Sequence, residues 1–372
     1  MLAFFSLFAR APRPNSAEFA RPNQDHHRYL FMAEHPGELR MAPFAYRVAL
    51  PALVRATPLK VHQAFLLWSR VFAFLLLAAV LVLCHRLAAT EQGAWALFLL
   101  ASSMLWLVPR HLEMIYSPDI PALALALWAG LAAAKDRLWP AVLLCVVAAF
   151  FKEWAVFAAP IAYGLIAERP VDRRAIGKCV PLLIGAVVVL VGLRIAIPTL
   201  NHDPAYVASL PANLGETAVR APLNSLPATV AATLKWRATY FSINHLIAIL
   251  LLPVTIAGTV LLFMGFASSR RRMLVWVPLA VLVYAQLLVA TNHERILVAV
   301  FPAALAGAAI WMNHRGGRGE RIVMIVAVLS CLASAASLVV ERYRYGVLLS
   351  LTVGEICILL ILRDLLIRRR RS

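Results

Sequence analysis

From about residue 64 onward the chain is written as long apolar runs separated by short charged or proline-containing breaks. Runs near twenty residues, without the alternation of a half-buried strand, predict transmembrane helices. They fall at 64–84, 94–108, 119–134, 138–151, 154–167, 179–198, 243–266, 274–290, 295–312, 322–340 and 347–363. A closed membrane barrel needs strands of about ten residues with alternating polarity, which continuous runs do not supply. The predicted fold class is therefore all-α, a polytopic membrane protein of about 11 helices. The short runs 138–151 and 154–167 flank Phe151-Lys152-Glu153 and predict a helix pair that turns just below the surface. Residues 1–63 read as an outer N-terminal segment and first outer loop. Residues 64–372 read as the transmembrane domain, with a long outer loop at 199–242.

Composition agrees: 62% of the 372 residues are hydrophobic and 15% charged, far from a soluble domain's balance. The net charge of +18 points at first to nucleic acid, but the charge is sorted by loop. KDR (135–137), ERPVDRR (168–174), SRRRM (269–273), NHRGGRGER (313–321) and the tail RDLLIRRRRS (363–372) form one basic set. Excess Lys and Arg mark the cytoplasmic side, so these loops and the C-terminus are expected inside. There they meet anionic headgroups of the lipid bilayer. No nucleic-acid partner is expected. Trp95, Trp106, Trp139, Trp276 and Trp311 fall at segment ends, where interfacial belts form. All five cysteines lie in helices or at their inner ends. Neither a structural disulfide nor a metal site follows from their spacing, and no cofactor is predicted.

An inside C-terminus and eleven segments put the N-terminus outside, yet residues 1–63 are strongly basic. The apolar run MLAFFSLFA is too short to span. The expectation is that it is the outer end of a first helix that precedes this chain.

The outer loops concentrate acids and histidines, and loops on a rigid scaffold commonly carry function. Four clusters stand out. In Asp25-His26-His27-Arg28-Tyr29, helical spacing puts Asp25 and Tyr29 on one face, with Leu30, Phe31 and Met32 free to lie on the membrane. In PFAYRVALP, Arg47 sits between two prolines, placed either to snorkel or to hold a phosphate. In RHLEMIYSPDIP, Asp119 opens a helix and is either its cap or an active group, with His111 and Glu113 beside it. Lys152-Glu153 and His293-Glu294-Arg295 lie at the outer edge of apolar segments, where ionisable groups are paired or functional. Lys152 and Glu153 are candidates to pair with each other. Glu355 lies within an apolar run, and Arg194 near the outer end of another. No nucleotide-binding loop, zinc-peptidase motif or serine nucleophile motif is present.

In order along nearly the whole chain stand Asp25-x3-Tyr29-x2-Met32-Ala33, PFxYRVxLP from Pro43 to Pro51, YSPDxPALxLAL from Tyr116, FFKE ending at Glu153, and Glu294-Arg295-x6-Pro302. The individual motifs are degenerate; their order and topology resemble the GT-C integral-membrane glycosyltransferases. The likeness is greatest to bacterial relatives of the protein mannosyltransferases and lipid A aminoarabinose transferases. The resemblance implies a helix before the first outer loop. It implies Asp25 as catalytic base and Asp119 as a second acid, with Glu113 as its rival. The family often has paired acids where this chain has Asp25 followed by His26. The implied substrates are a polyprenyl-phosphate sugar donor and a glycan, lipid or protein acceptor at the outer face of the cell membrane. A base takes the acceptor's proton and cations meet the departing phosphate, with inversion at the sugar carbon. Tyr29, Arg47, Glu113, Lys152, Glu153, Glu294 and Arg295 are the expected substrate-binding residues. A lipid-linked sugar transporter and a non-catalytic membrane assembly protein are the competing readings.

Overall fold

The computed structural model describes residues 25–104, 107, 110–200, 203–211, 214, 234–235, 255–286 and 297–339. Every regular element among the described residues is helical. Alanine- and leucine-rich segments make good helix interiors, and the breaks come where the sequence changes character. The chain runs through α1 (Asp25–Glu34), α2 (Ala49–Ala56), α3 (Val61–Leu87) and α4 (Glu91–Ser102). It continues through α5 (Asp119–Ala134), α6 (Leu138–Phe151), α7 (Ala158–Ile166), α8 (Arg173–Ala196) and α9 (Pro204–Ser209). Then come α10 (Thr255–Ser268), α11 (Arg270–Leu274), α12 (Val277–Ala285), α13 (Phe301–Arg315) and α14 (Gly317–Val339).

The runs 119–134 and 138–151 become α5 and α6 to the residue. The run 154–167 begins instead as a 3-10 turn, Glu153–Phe157, before α7. The run 94–108 stops early, at Ser102. There Ser103 Oγ donates to the Leu100 carbonyl at 2.6 Å, a side-chain bond that competes with helix propagation. The run 347–363, the stretch MLAFFSLFA and most of 199–242 lie outside the described residues.

Two helices, α3 with 27 residues and α8 with 24, are long and apolar enough to cross a bilayer. At 1.5 Å per residue they reach about 40 and 36 Å. α5 and α6 are apolar but shorter. α8 leaves Ile184, Val188, Val191 and Ile195 exposed along its length, a ridge that is costly in water and suits hydrocarbon. Trp139 is exposed at 85% and Trp95 at 43%, as an interfacial position requires. Trp276 and Trp311 are not interfacial: both are buried within the protein. Trp106 lies outside the described residues.

The core centres on α5, which packs against α3, α6 and α7. α10 and α13 approach closely because Gly265 faces Gly307, where added side-chain carbons would collide with backbone. Polar contacts then gather the loops into two groups. At one end Arg86 donates to the carbonyls of Ala134 and Leu165, Asn313 bonds the Leu87 carbonyl, and Lys178 pairs with Asp136. Thr90 caps α4 by accepting from the Gly93 N–H and donates to Glu320. Toward the other end the Leu200 N–H donates to the Arg40 carbonyl, and Tyr206 Oη binds both Arg40 and Glu38 backbone. Arg194, instead of merely reaching outward, lies over the Tyr46 ring at 5.0 Å. The candidate site lies at this second end.

Candidate functional site

α1 opens on Asp25, an acid in the first turn that complements the helix dipole. It closes before Pro36 and Gly37, whose φ of 80° suits glycine. Arg28, Tyr29, Met32 and Ala33 form its buried face. Met32 therefore faces protein, and Leu30 and Phe31 pack against the core from partly buried positions. Asp25 stays at the rim with its side chain 38% exposed, 3.4 Å from the Arg28 guanidinium. Arg28, only 2% exposed, lies over the Phe44 ring at 4.6 Å. Burial lowers the Arg28 pKa, opposed by the charge of Asp25.

Arg47 follows the 3-10 turn Phe44–Tyr46 and neither snorkels nor points to solvent. Its Nη2 and Nε donate to the two Glu153 oxygens at 2.7 and 3.3 Å, and its Nη1 donates to Tyr29 Oη at 3.0 Å. This two-pronged geometry is the strong form of a guanidinium–carboxylate contact. Burial disfavours both charges, yet the charge of Glu153 holds the Arg47 pKa well above its ordinary value. Burial likewise pushes Glu153 up, but Arg47 and Lys152 outweigh it and hold the carboxyl at about 2. Burial raises the Tyr29 phenol, with Arg47 pulling the other way.

Lys152 points elsewhere. Its ammonium donates to Asp119 Oδ1 at 2.5 Å and sits 4.2 Å from the centre of the Trp154 ring. Lys152 and Glu153 thus do not pair with each other; each reaches a different segment. Pro118, not Asp119, is the residue before α5, and the Asp119 N–H donates to Ser117 Oγ at 3.4 Å. Asp119 has 0% of its surface exposed. Its carboxylate faces the Lys152 ammonium. His111, also buried, sets Nε2 3.8 Å from Asp119 Oδ2. Glu113 lies part-buried in the turn after Arg110–Leu112.

A second cluster adjoins α1. His62 Nδ1 and Tyr116 Oη share a hydrogen bond of 2.5 Å. The Tyr116 ring lies 5.7 Å from His26 and 4.9 Å from Phe65, and His26 is 4.2 Å from His27. Burial pushes the Tyr116 phenol up to about 12.

Asp25, Tyr29, Arg47, Asp119, Lys152 and Glu153 are thus assembled from four separate segments into one neighbourhood. Glu294 and Arg295 lie outside the described residues. Sequence reasoning did not assign Phe44 and Trp154 as the rings beneath Arg28 and Lys152, nor the His62–Tyr116 bond. The only local sign is an aromatic close in sequence to a cation; the partner across the chain is a tertiary fact. Among the described residues no group of His, Cys, Asp or Glu is arranged to hold a metal ion. Three acids (Asp25, Asp119, Glu153) face three cations (Arg28, Arg47, Lys152), so the six balance. Such a site holds its geometry by paired charges, with the side chains of Asp25 and Glu153 each 38% exposed and Asp119 buried. Compared with family models, curated proteins and solved structures, the chain matches none.

Proposed function

We propose that this chain is a multi-pass membrane glycosyltransferase. It moves a sugar from a polyprenyl-phosphate carrier to an envelope acceptor at the outer face of the cell membrane. The proposed topology has about 11 spans and a cytoplasmic C-terminus. The observation that carries the reading is the convergence of Asp25, Tyr29, Arg47, Asp119, Lys152 and Glu153 at one end of the bundle, with Asp25 reaching the rim in the first turn of α1. These residues all lie in the motifs whose order along the chain carries the resemblance to the GT-C class.

Asp25 takes the proton from the acceptor hydroxyl as its oxygen attacks the anomeric carbon. The bond from that carbon to the phosphate oxygen breaks, and its electron pair leaves with the lipid phosphate. Attack from the opposite side inverts the sugar carbon. Arg47 and Lys152 are each held by an acid, so they position α1 and α5 and do not offer a free charge to the phosphate. The departing phosphate then depends on Arg295. Asp119 positions Lys152. Glu113 is kept as a candidate acceptor contact, and Glu294 as a partner of Arg295.

The balanced pairing favours a second reading, a non-catalytic assembly protein or lipid-linked sugar transporter of the same fold. Mass spectrometry of envelope glycans and lipid-linked sugars in a deletion strain separates them. Loss of one sugar, accumulation of its polyprenyl-phosphate carrier, and rescue by the wild-type chain but not by Asp25→Asn is the expected result. Equal rescue by both chains removes Asp25 from the chemistry and favours the second reading.

A further inference from the structure

α8 packs against α6 and α7 and leaves another side open. Val180, Ile184, Val187, Val188, Val191 and Ile195 are all exposed there. Val187, Val191 and Arg194 follow at i, i+4 and i+7, so one stripe of the helix runs from apolar side chains into a guanidinium. Between Lys178 and Arg194 the helix carries no charged residue. Arg174 and Arg194 stand 20 positions apart, about 30 Å along a helix and close to the thickness of a bilayer's hydrocarbon. With α8 across a bilayer, Arg194 therefore stands at the level where hydrocarbon meets headgroups.

A snorkelling arginine extends toward water. Arg194 instead turns back along its helix: Nη1 donates to the Leu190 carbonyl at 3.0 Å, and the guanidinium lies over the Tyr46 ring at 5.0 Å. Arg28, Arg47 and Lys152 each face an acid. Arg194 is exposed, and among the described residues no carboxylate meets it. A guanidinium has five N–H donors, of which the helix takes one. The acids of the neighbouring segments are engaged elsewhere. The Asp203 carboxylate accepts from the Ala205 and Tyr206 N–H groups, and Glu38 lies 3.7 Å from His35. The Leu200 bond to the Arg40 carbonyl brings a second exposed guanidinium to the same end. An arginine at the edge of hydrocarbon is costly unless its charge is met, and phosphate is the anion whose geometry a guanidinium fork fits. We infer that Arg194, held by Tyr46, and the Val187–Val191 stripe form a docking site for one anionic glycerophospholipid in the leaflet at the site end. Its phosphate sits on the guanidinium and its acyl chains lie along α8. This rests on the membrane topology proposed above and not on the transferase chemistry. Tyr46 closes the turn before Arg47, so an occupied site ties α8 to the loop that supplies Arg47 to the charge network.

The test is fluorescence quenching on the full chain in phosphatidylcholine nanodiscs, with the native cysteines replaced and a bimane label on Val191→Cys. The quenchers are phosphatidylglycerol and phosphatidylcholine, each bearing a nitroxide near the head of one acyl chain. Labelled phosphatidylglycerol is expected to reach half-quenching at about a fivefold lower mole fraction than labelled phosphatidylcholine, the enrichment one arginine supplies near a headgroup. Arg194→Gln is expected to bring the two curves together, Arg194→Lys to keep part of the difference, and Tyr46→Leu to reduce it. Unchanged quenching by the phosphatidylcholine probe reports that α8 of each variant is still folded into the bilayer. The same label on Leu332→Cys, an exposed position of α14, is the control and is expected to show no preference. An equal preference there would mean general attraction to a basic protein and would overturn the site. A preference that survives Arg194→Gln, or equal quenching by both lipids in the unmutated site, also overturns it while the membrane reading stands. If neither lipid quenches the label on Val191→Cys, α8 is not in the bilayer, and the site and the proposed topology fall together.

Discussion

Asp119 and Lys152 carry the burden of burial jointly. A charge taken from water costs several kcal/mol, and its partner repays this only when geometry is good. Lys152 is 4% exposed and Asp119 0%, so Asp119→Asn removes the carboxylate charge that the buried ammonium faces. The expected loss is about 3–5 kcal/mol, as for other broken buried pairs, read as a lower unfolding midpoint by tryptophan fluorescence in detergent. Replacing both, Asp119→Leu with Lys152→Met, is expected to recover most of it. Glu153 differs because its side chain is 38% exposed, so Glu153→Gln costs roughly 2 kcal/mol. Its carboxyl is held at about 2, below the ordinary 4.5. A depressed carboxylate stabilises fully above its unfolded value and loses that contribution as pH falls through the folded one. Limited pepsin digestion checks the sign: the 25–56 segment stays protected at pH 4.5 and opens near pH 2, whereas Glu153→Gln is open already at pH 4.5. The charged residues themselves were legible in the sequence, because a charge inside apolar text is locally conspicuous. Their partners were not. Adjacency suggested Lys152 with Glu153, and tertiary folding sends one to α5 and the other to Arg47.

Helices as units follow from apolar runs, and α5 and α6 were legible to the residue because turns with charge or proline bound both ends. α4 was read too long, since Ser103 bonds backward to Leu100 and nothing in hydropathy marks that. Trp276 and Trp311 were misread for a related reason. A segment end looks interfacial in sequence, but Trp276 packs against Gly164 and Trp311 lies in the α13 core. How helices pair is likewise set by shape. A carbon added at Gly265 would lie 2.4 Å from Gly307 Cα, and one at Gly307 would lie 2.7 Å from Leu262 Cα. Neither backbone can yield without moving a whole helix, so Gly307→Ala is expected to cost about 1–3 kcal/mol through forced separation. Gly177→Ala on α8 is the control, because a carbon there meets nothing within 4 Å. It is expected to be neutral or to stabilise by roughly 0.5–1 kcal/mol through helix propensity. Thermal unfolding of the two variants in one detergent decides the ordering. Equal midpoints would mean that α10 and α13 do not pack through these glycines.

At the scale of the whole molecule, the sorting of charge along the sequence and the sorting of contacts in space agree. The KDR, ERPVDRR and NHRGGRGER loops converge where Arg86, Asp136, Lys178, Asn313 and Glu320 interlock. The segments 38–47 and 200–206 converge toward the other end, where the candidate site lies. In the proposed topology a bilayer around α3 and α8 separates the two groups, and the transferase proposal requires the site end to face outward. Single-cysteine labelling tests this, because the four described native cysteines are buried and free and can be replaced together with Cys357 by serine or alanine. Glu38→Cys, exposed at the site end, is expected to react with a membrane-impermeant maleimide in intact spheroplasts. Arg137→Cys, exposed at the basic end, is expected to react only after the membrane is opened. The opposite pattern would put Asp25 on the side where nucleotide sugars are abundant and remove the reason for a lipid-linked donor. Labelling of both sites in intact cells would mean that the two groups of loops are not divided by a bilayer. The charge asymmetry would then be a surface property of the molecule and not its address in the membrane.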